Sequence, residues 1–500
     1  MSSYLESFNT HSEYESAKST LDLPNVSYCE MEDEVHFNPE VIDYSQEYLS
    51  CVALENGTIS FNIRFDMGTD MIASISYSTN NGETWTTTNN TNNKSEHLVI
   101  TVNVSEGDKV MWKGDATQYG YFNEDEGDYV GSFFSSDCEF DVQGNVMSLL
   151  YGDDFKGETT IENEYAFTCL FYDYEGTKTC GVVNAKNLSL PATTLADDCY
   201  ENMFSGCTSL ITAPELPATT LAQNCYSSMF SNCTSLTVAP ELPAMTLVQS
   251  CYNSMFEGCT SLTTAPSILP ATTLANYCYS SMFQGCTSLT TAPELSATTL
   301  ANYCYRYMFQ GCTSLRTAPE LPATTLAAGC YNSMFSRCTS LTTAPVLSAT
   351  TLADTCYSHM FRDCTSLTVA PELPATTLTN SCYSHMFNGC TSLMTAPELS
   401  ATTLANNCYS QMFQGCTSLT VAPELPATTL ANACYLWMFS GCTSLNSITC
   451  LATDISASGC TNGWVSGVAS SGTFTKAASM TGWRRSANGI PTNWTVVDAT

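Results

Sequence analysis

The chain has 500 residues, 44% of them hydrophobic, and a net charge of −33. The acid sits at the front, where residues 1–187 hold 33 acidic against 8 basic side chains. Phosphate contacts require Lys and Arg, so this balance argues against nucleic acid as a partner, and no apolar run approaches the ~20 residues that a membrane-spanning helix needs.

The opening MSSYLESFNTHSEYESAKST has neither the basic region nor the apolar stretch of a secretory signal. This predicts a protein made in a cytoplasm and soluble there. Residues 1–47 are polar and acidic with aromatics spaced through them, and include PNVSYCEMEDEVHFNPE. They predict an arm that orders by docking on another body. Its candidate docking residues are Pro24, Asn25, Tyr28, His36, Phe37, Asn38 and Pro39.

Over 48–154 the apolar period becomes two. Ile59, Phe61, Ile63 and Phe65 alternate with polar residues, as do Met71, Ala73, Ile75 and Tyr77. Asn81-Gly82 and Glu106-Gly107-Asp108 read as hairpin turns. The expectation is a small β-sandwich of immunoglobulin-like character. Within it, Ser78-Thr-Asn-Asn-Gly-Glu-Thr-Trp85 resembles the Asp-box hairpin of sialidases, with Asn80 where Asp is usual. A chain with seven arginines and one such copy offers no arginine cluster for a sugar acid, so the segment is read as a turn.

Residues 155–190 read as an irregular capping coil, with Tyr165–Phe171 and Val182–Leu190 echoing the repeats C-terminal to them. Residues 191–450 hold ten near-copies of one 26-residue sentence, such as LPATTLAQNCYSSMFSNCTSLTVAPE. The Cys of its Cys-Tyr pair recurs from Cys199 to Cys434, with a single 27-residue step at APSILP. A fixed period of this size marks a solenoid, whose coils bury their apolar faces only against each other. Leu195, Ala196, Cys199, Tyr200, Met203, Phe204 and Cys207 occupy positions 0, 1, 4, 5, 8, 9 and 12. That spacing predicts one helix per coil, stopped near Gly206, followed by a short parallel strand that the prolines keep extended. After 450 the sentence breaks. Residues 451–500 read as a C-terminal cap with an irregular helix around Trp464 and two closing strands.

Twenty of the 27 cysteines are core positions of the repeat. No Cys-x-x-Cys pair of zinc spacing occurs, so reduced, buried thiols are expected; bridges between neighbouring coils stay open. No catalytic, cofactor or metal constellation is found around His11, His36, His97, His359 and His385, which predicts a protein that is not an enzyme.

The residue three after each landmark Cys is expected to face solvent, and it varies: Tyr307, His359, His385 and Trp437 are its ring-bearing members. With Tyr277, Tyr303 and Arg306 they form the candidate recognition surface, stacking and hydrogen bonding being what a sugar or protein patch uses.

The repeat CYxxMFxGCTSLTTAPELPATTLA resembles the BspA-like leucine-rich repeats of gut Bacteroidales and their phages. PNVSYCEMEDEVHFNPE, GNVMSLLYGDDFKG and the tail GTFTKAASMTGW…GIPTNWTV are similar to segments that accompany those repeats. The resemblance implies a leucine-rich-repeat solenoid and either of two roles. The first is a phage head or tail fibre, anchored to virion proteins by its N-terminus and touching a host surface glycan or protein, as a dimer or trimer. The alternative is a bacterial cell-surface adhesin.

Overall fold

The computed structural model describes residues 7–8, 26–31, 34–39, 42–64, 74–89, 98–123, 128–173, 176 and 180–499. At the front, β1 (Ser7–Phe8), β2 (Val26–Met31) and β3 (Glu34–Pro39) pair antiparallel in the order β1-β3-β2. Tyr28 lies opposite Phe37, Cys29 opposite His36, Ser27 opposite Asn38 and Val26 opposite Pro39. The leading segment thus satisfies part of its backbone internally; Pro24 and Asn25 lie outside the described residues.

The alternating region continues as β4 (Leu49–Ala53), β5 (Gly57–Ile63), β6 (Ser74–Ser78), β7 (Thr86–Asn89), β8 (Leu98–Val104), β9 (Lys109–Gly114), β10 (Gly120–Asn123), β11 (Asp128–Gly131), β12 (Phe133–Ser136) and β13 (Phe140–Asn145). Ile59, Phe61 and Ile63 sit on β5 and Ile75 and Tyr77 on β6; Phe65, Met71 and Ala73 are not among the described residues. β12-β5-β8 form one sheet. Rings from both sheets meet between them, with Phe61 stacked on Phe134 at 4.3 Å and Trp112 edge-on to both.

Asn81-Gly82 does turn a hairpin, at φ 56° and 84°, and the Asn80 side chain closes it by accepting from Ser78 Oγ and Thr84 N. Glu106-Gly107-Asp108 does not. β8 pairs with β5 while β9 pairs with β4 and β6, so this turn carries the chain from one sheet to the other. The second sheet is larger than the alternating region alone supplies. β14 (Val182–Ser189) joins it parallel to β13, giving the order β14-β13-β4-β9-β6-β7. The ring stack runs on as well, from Phe134 to Phe171 (5.5 Å) and then Phe204 (4.8 Å). One hydrophobic core therefore extends from Leu49 to Trp494.

In the repeats the expected helix is replaced by another structure. No coil contains an α-helix among the described residues; instead every fourth residue is left-handed. In the coil of Cys225 these are Asn224 (φ 51°), Ser228 (53°) and Asn232 (59°). Backbone N–H groups alternate in direction. Tyr226, Ser228 and Phe230 donate to Cys251, Asn253 and Met255 of the next coil, whereas Ser227, Met229 and Ser231 donate three residues back. Each coil is a run of four-residue turns, hydrogen-bonded to its neighbours at the ~4.8 Å spacing of a β-ladder.

The physical reason is in the spacing itself. Positions 0, 4, 8 and 12 on a helix of 3.6 residues per turn drift by about 120° from first to last, and would carry Cys207 off the face that Leu195 buries. A strict period of four keeps both inside, and both are buried. Ser, Asn, Cys, Tyr and Phe are moreover modest helix formers, while Asn, Asp and Gly tolerate the left-handed turns.

Expected parallel strands shrink to single-residue bridges such as Thr212 to Val238 and Val369 to Thr395. Only beside the 27-residue coil do β15 (Ile268–Leu269) and β16 (Glu294–Leu295) pair for two residues. The helix read around Trp464 is also absent. Gly459, Gly463 and Gly467 hold its left-handed positions, at 63°, 63° and 73°, so the cap begins as one more coil. It ends as a parallel sheet of β17 (Ser447–Cys450), β18 (Thr473–Lys476) and β19 (Thr495–Asp498).

Inside the stack, buried Tyr, Phe, Met and Cys form parallel columns. Neighbouring Phe rings from Phe204 to Phe439 lie 5.5–5.8 Å apart. The second Cys of each coil donates its S–H to the Phe carbonyl one coil back, as Cys312 does to Phe283 at 3.1 Å and Cys338 to Phe309 at 3.0 Å. The cysteines with described side chains are free thiols, and all of them but Cys180 are buried. Burial pushes the Cys259 and Cys338 thiols up to about 12, which removes the nucleophilic thiolate. Iodoacetamide is therefore expected to label the native protein at a small minority of its 27 cysteines and the denatured chain throughout; mass spectrometry showing rapid native labelling of the repeats would mean the columns are open.

Thr355 is the one β-branched residue at a described left-handed position (φ 57°). A branched Cβ strains that conformation, which Asn accepts. Thr355→Asn is expected to raise stability by about 0.5–1 kcal/mol, read as a higher denaturant midpoint.

Candidate recognition surface

Because each turn takes four residues, left-handed columns run side by side along the rod, and two of the three carry the rings: the residue before each landmark Cys and the residue three after it. Aromatic side chains on these columns stack along the axis. Tyr277 and Tyr303, one coil apart in the first column, lie 5.1 Å apart and 9° from parallel. The Tyr303 ring then rests over Gly329, filling the space where a Cβ would stand. The Arg306 guanidinium lies 4.4 Å from the Tyr307 ring and 5.6 Å from the Tyr303 ring, and its Nη2 donates to Tyr307 Oη at 2.8 Å. Four of the predicted residues are thus one cluster on two adjacent coils.

In the second column, His359 and His385 stack at 4.1 Å and 11°. Ser358 Oγ is 3.3 Å from the Ser384 carbonyl, to which it must donate, and 2.8 Å from His359 Nδ1. Ser384, Ser410 and His385 repeat the arrangement. Beyond Gln411 the column ends on Trp437, which is 43% exposed and whose ring rests over Gly463 as Tyr303 does over Gly329. The other ring-bearing residues of the face are half-buried against their neighbours. His359, His385 and Trp437 are therefore on the rod face of the tyrosine cluster but separated from it along the axis.

Desolvation pushes His359 down to about 4, with His385 and Arg362 adding to it, and lowers His385 as well. A histidine held below its ordinary 6.5 is proton-poor when folded, so its contribution is complete above that value and lost as pH falls from about 6.5 towards 4. Wild type should therefore lose more melting temperature between pH 7 and pH 4 than the double variant His359→Gln, His385→Gln; equal losses would count against the buried neutral pair. Parallel rings cannot converge on one ion, and among the described residues no group of three or more His, Cys, Asp or Glu is placed to hold a metal.

The supporting glycines Gly329 and Gly463 escaped the sequence reading. Their signal is a glycine one coil after a bulky ring in the same column. Of the candidate docking residues at the front, Tyr28, His36, Phe37, Asn38 and Pro39 lie on β2 and β3.

A family model described as BspA type Leucine rich repeat region matches the chain in six copies, over residues 180–290, 266–394 and 354–460. No curated protein and no solved structure matches the chain.

Proposed function

The chain belongs to the BspA-type leucine-rich repeat family, and from that membership we propose that it is a non-enzymatic adhesion protein: a stiff solenoid whose ring-bearing face contacts a bacterial surface. The observation that carries this reading is the pairing of exposed-face rings with supporting glycines, Tyr303 over Gly329 and Trp437 over Gly463. A face free to drift has no need of such pairs. The front sandwich, of immunoglobulin-like character, is the pedestal on which the rod starts.

The carrier we propose is a phage particle. The front, junction and tail segments resemble those that accompany these repeats in gut Bacteroidales and their phages. In this reading residues 1–47 dock the protein on capsid or tail, and the mature fibre is a dimer or trimer. Proteomics of purified particles is expected to find the chain, and deletion of residues 1–47 to abolish its incorporation without unfolding the rest. Recovery from a cell envelope instead would make the same rod a cell-surface adhesin. Failure of the purified full chain to bind host cells would end the adhesive reading itself.

A further inference from the structure

Arg306 differs from Arg337 and Arg362 in having no carboxylate beside it. Arg337 and Arg362 both pair with Asp363, at 3.9 and 3.5 Å. Among the described residues no carboxylate lies within ion-pairing distance of Arg306, whose Nε is buried without a hydrogen-bond partner. Its one side-chain hydrogen bond among the described residues, to Tyr307 Oη, leaves the remaining Nη hydrogens without a protein acceptor. The surroundings agree. The turn segments 275–287, 301–313 and 327–339 of three consecutive coils contain two arginines and no Asp or Glu, in a chain of net charge −33. The cation is also held still. Tyr303 and Tyr307 flank it, Tyr277 backs Tyr303, and Gly329 supplies the floor beneath that ring.

We infer that Tyr277, Tyr303, Arg306 and Tyr307 form a site for an acidic saccharide unit, and this rests on the adhesive reading above. The sugar's carboxylate accepts from the Arg306 Nη groups in a charge-assisted pair. Its ring C–H surface lies against tyrosine, and its hydroxyls exchange hydrogen bonds with the tyrosine hydroxyls. A neutral sugar leaves the guanidinium unpaired. A carboxylate without a ring gains nothing from the tyrosines. The combination selects a uronic-acid type of residue over either.

The test uses the full chain and two probes, a tetrauronate and the neutral tetrahexose of equal length, by titration calorimetry. Wild type is expected to bind the uronate at least about tenfold more tightly than the neutral probe, with affinity falling as salt rises. Arg306→Gln should lose about tenfold on the uronate alone. Arg306→Lys, which keeps the charge but not the planar fork, should fall between. Gly329→Ala never touches the ligand, yet should weaken binding because its Cβ takes the place of the Tyr303 ring; circular dichroism checks that each variant keeps its fold. Equal affinity for both probes, no uronate binding by wild type, or an unaffected Arg306→Gln overturns the site. Binding of whole host cells by wild type, measured alongside, separates the two readings. Cells bound without uronate recognition removes this site and leaves adhesion standing, whereas loss of cell binding removes adhesion.

Discussion

Replacing Phe335 by Ala is expected to cost about 3–5 kcal/mol and to split one unfolding transition into two. Phe335 is fully buried and stacked between Phe309 at 5.7 Å and Phe361 at 5.8 Å. Its carbonyl accepts the Cys364 thiol at 3.0 Å and its N–H donates to Met360. Truncation leaves a cavity flanked by rings that backbone ladders hold in place, so the site cannot collapse to fill it. In a quasi-one-dimensional array cooperativity passes only through neighbouring coils, and a mid-rod defect therefore uncouples the halves. Calorimetry or hydrogen exchange reads both effects. A loss below about 1 kcal/mol with a single sharp transition would mean that the Phe column contributes little.

Deleting residues 472–500 should make the protein aggregate. These residues supply β18 and β19, and they cover the last turn of the stack: Trp483 lies on Trp464 at 5.6 Å, and Trp464 Nε1 donates to the Gly489 carbonyl at 2.8 Å. Without them Trp464 loses its cover and β17 its partner β18, leaving an unpaired strand edge with apolar side chains beside it. Size-exclusion chromatography is expected to show loss of the monodisperse species. A truncated chain that elutes as before and melts at the same temperature would mean that closure is achieved elsewhere.

Both expectations depend on the core being a stack of flat coils, and this is where sequence and structure part. Repetition, coil length and the identity of nearly every buried column were legible, because comparing ten copies separates the fixed residues from the varying ones. Cys199, Tyr200, Met203 and Phe204 are buried as read. The backbone was misread because positions 0, 1, 4 and 5 fit a helix over a short window. The discriminating signal was available: twelve residues of strict fourfold period without helical drift, and in several coils Asn, Ser or Gly at every fourth place, as at Asn224, Ser228 and Asn232.

In the recognition face, the ring-bearing columns were legible as variable positions, and Tyr303 and Tyr307 were singled out as such. What joins them is longitudinal. Tyr303 leans on the glycine of the following coil, 26 residues away, and His359 hydrogen-bonds a serine that is itself tied to Ser384. In the same way β14 completes a sheet begun by the strands before it.

The sequence by itself determined the solenoid, its period and its dry interior, since apolar side chains at fixed intervals can be hidden only by their own copies. Tertiary structure alone decided how the backbone turns and which surface groups meet. Half of the N–H groups in each turn run find their acceptor on the next coil, so the local conformation is stable only once a neighbour is in place.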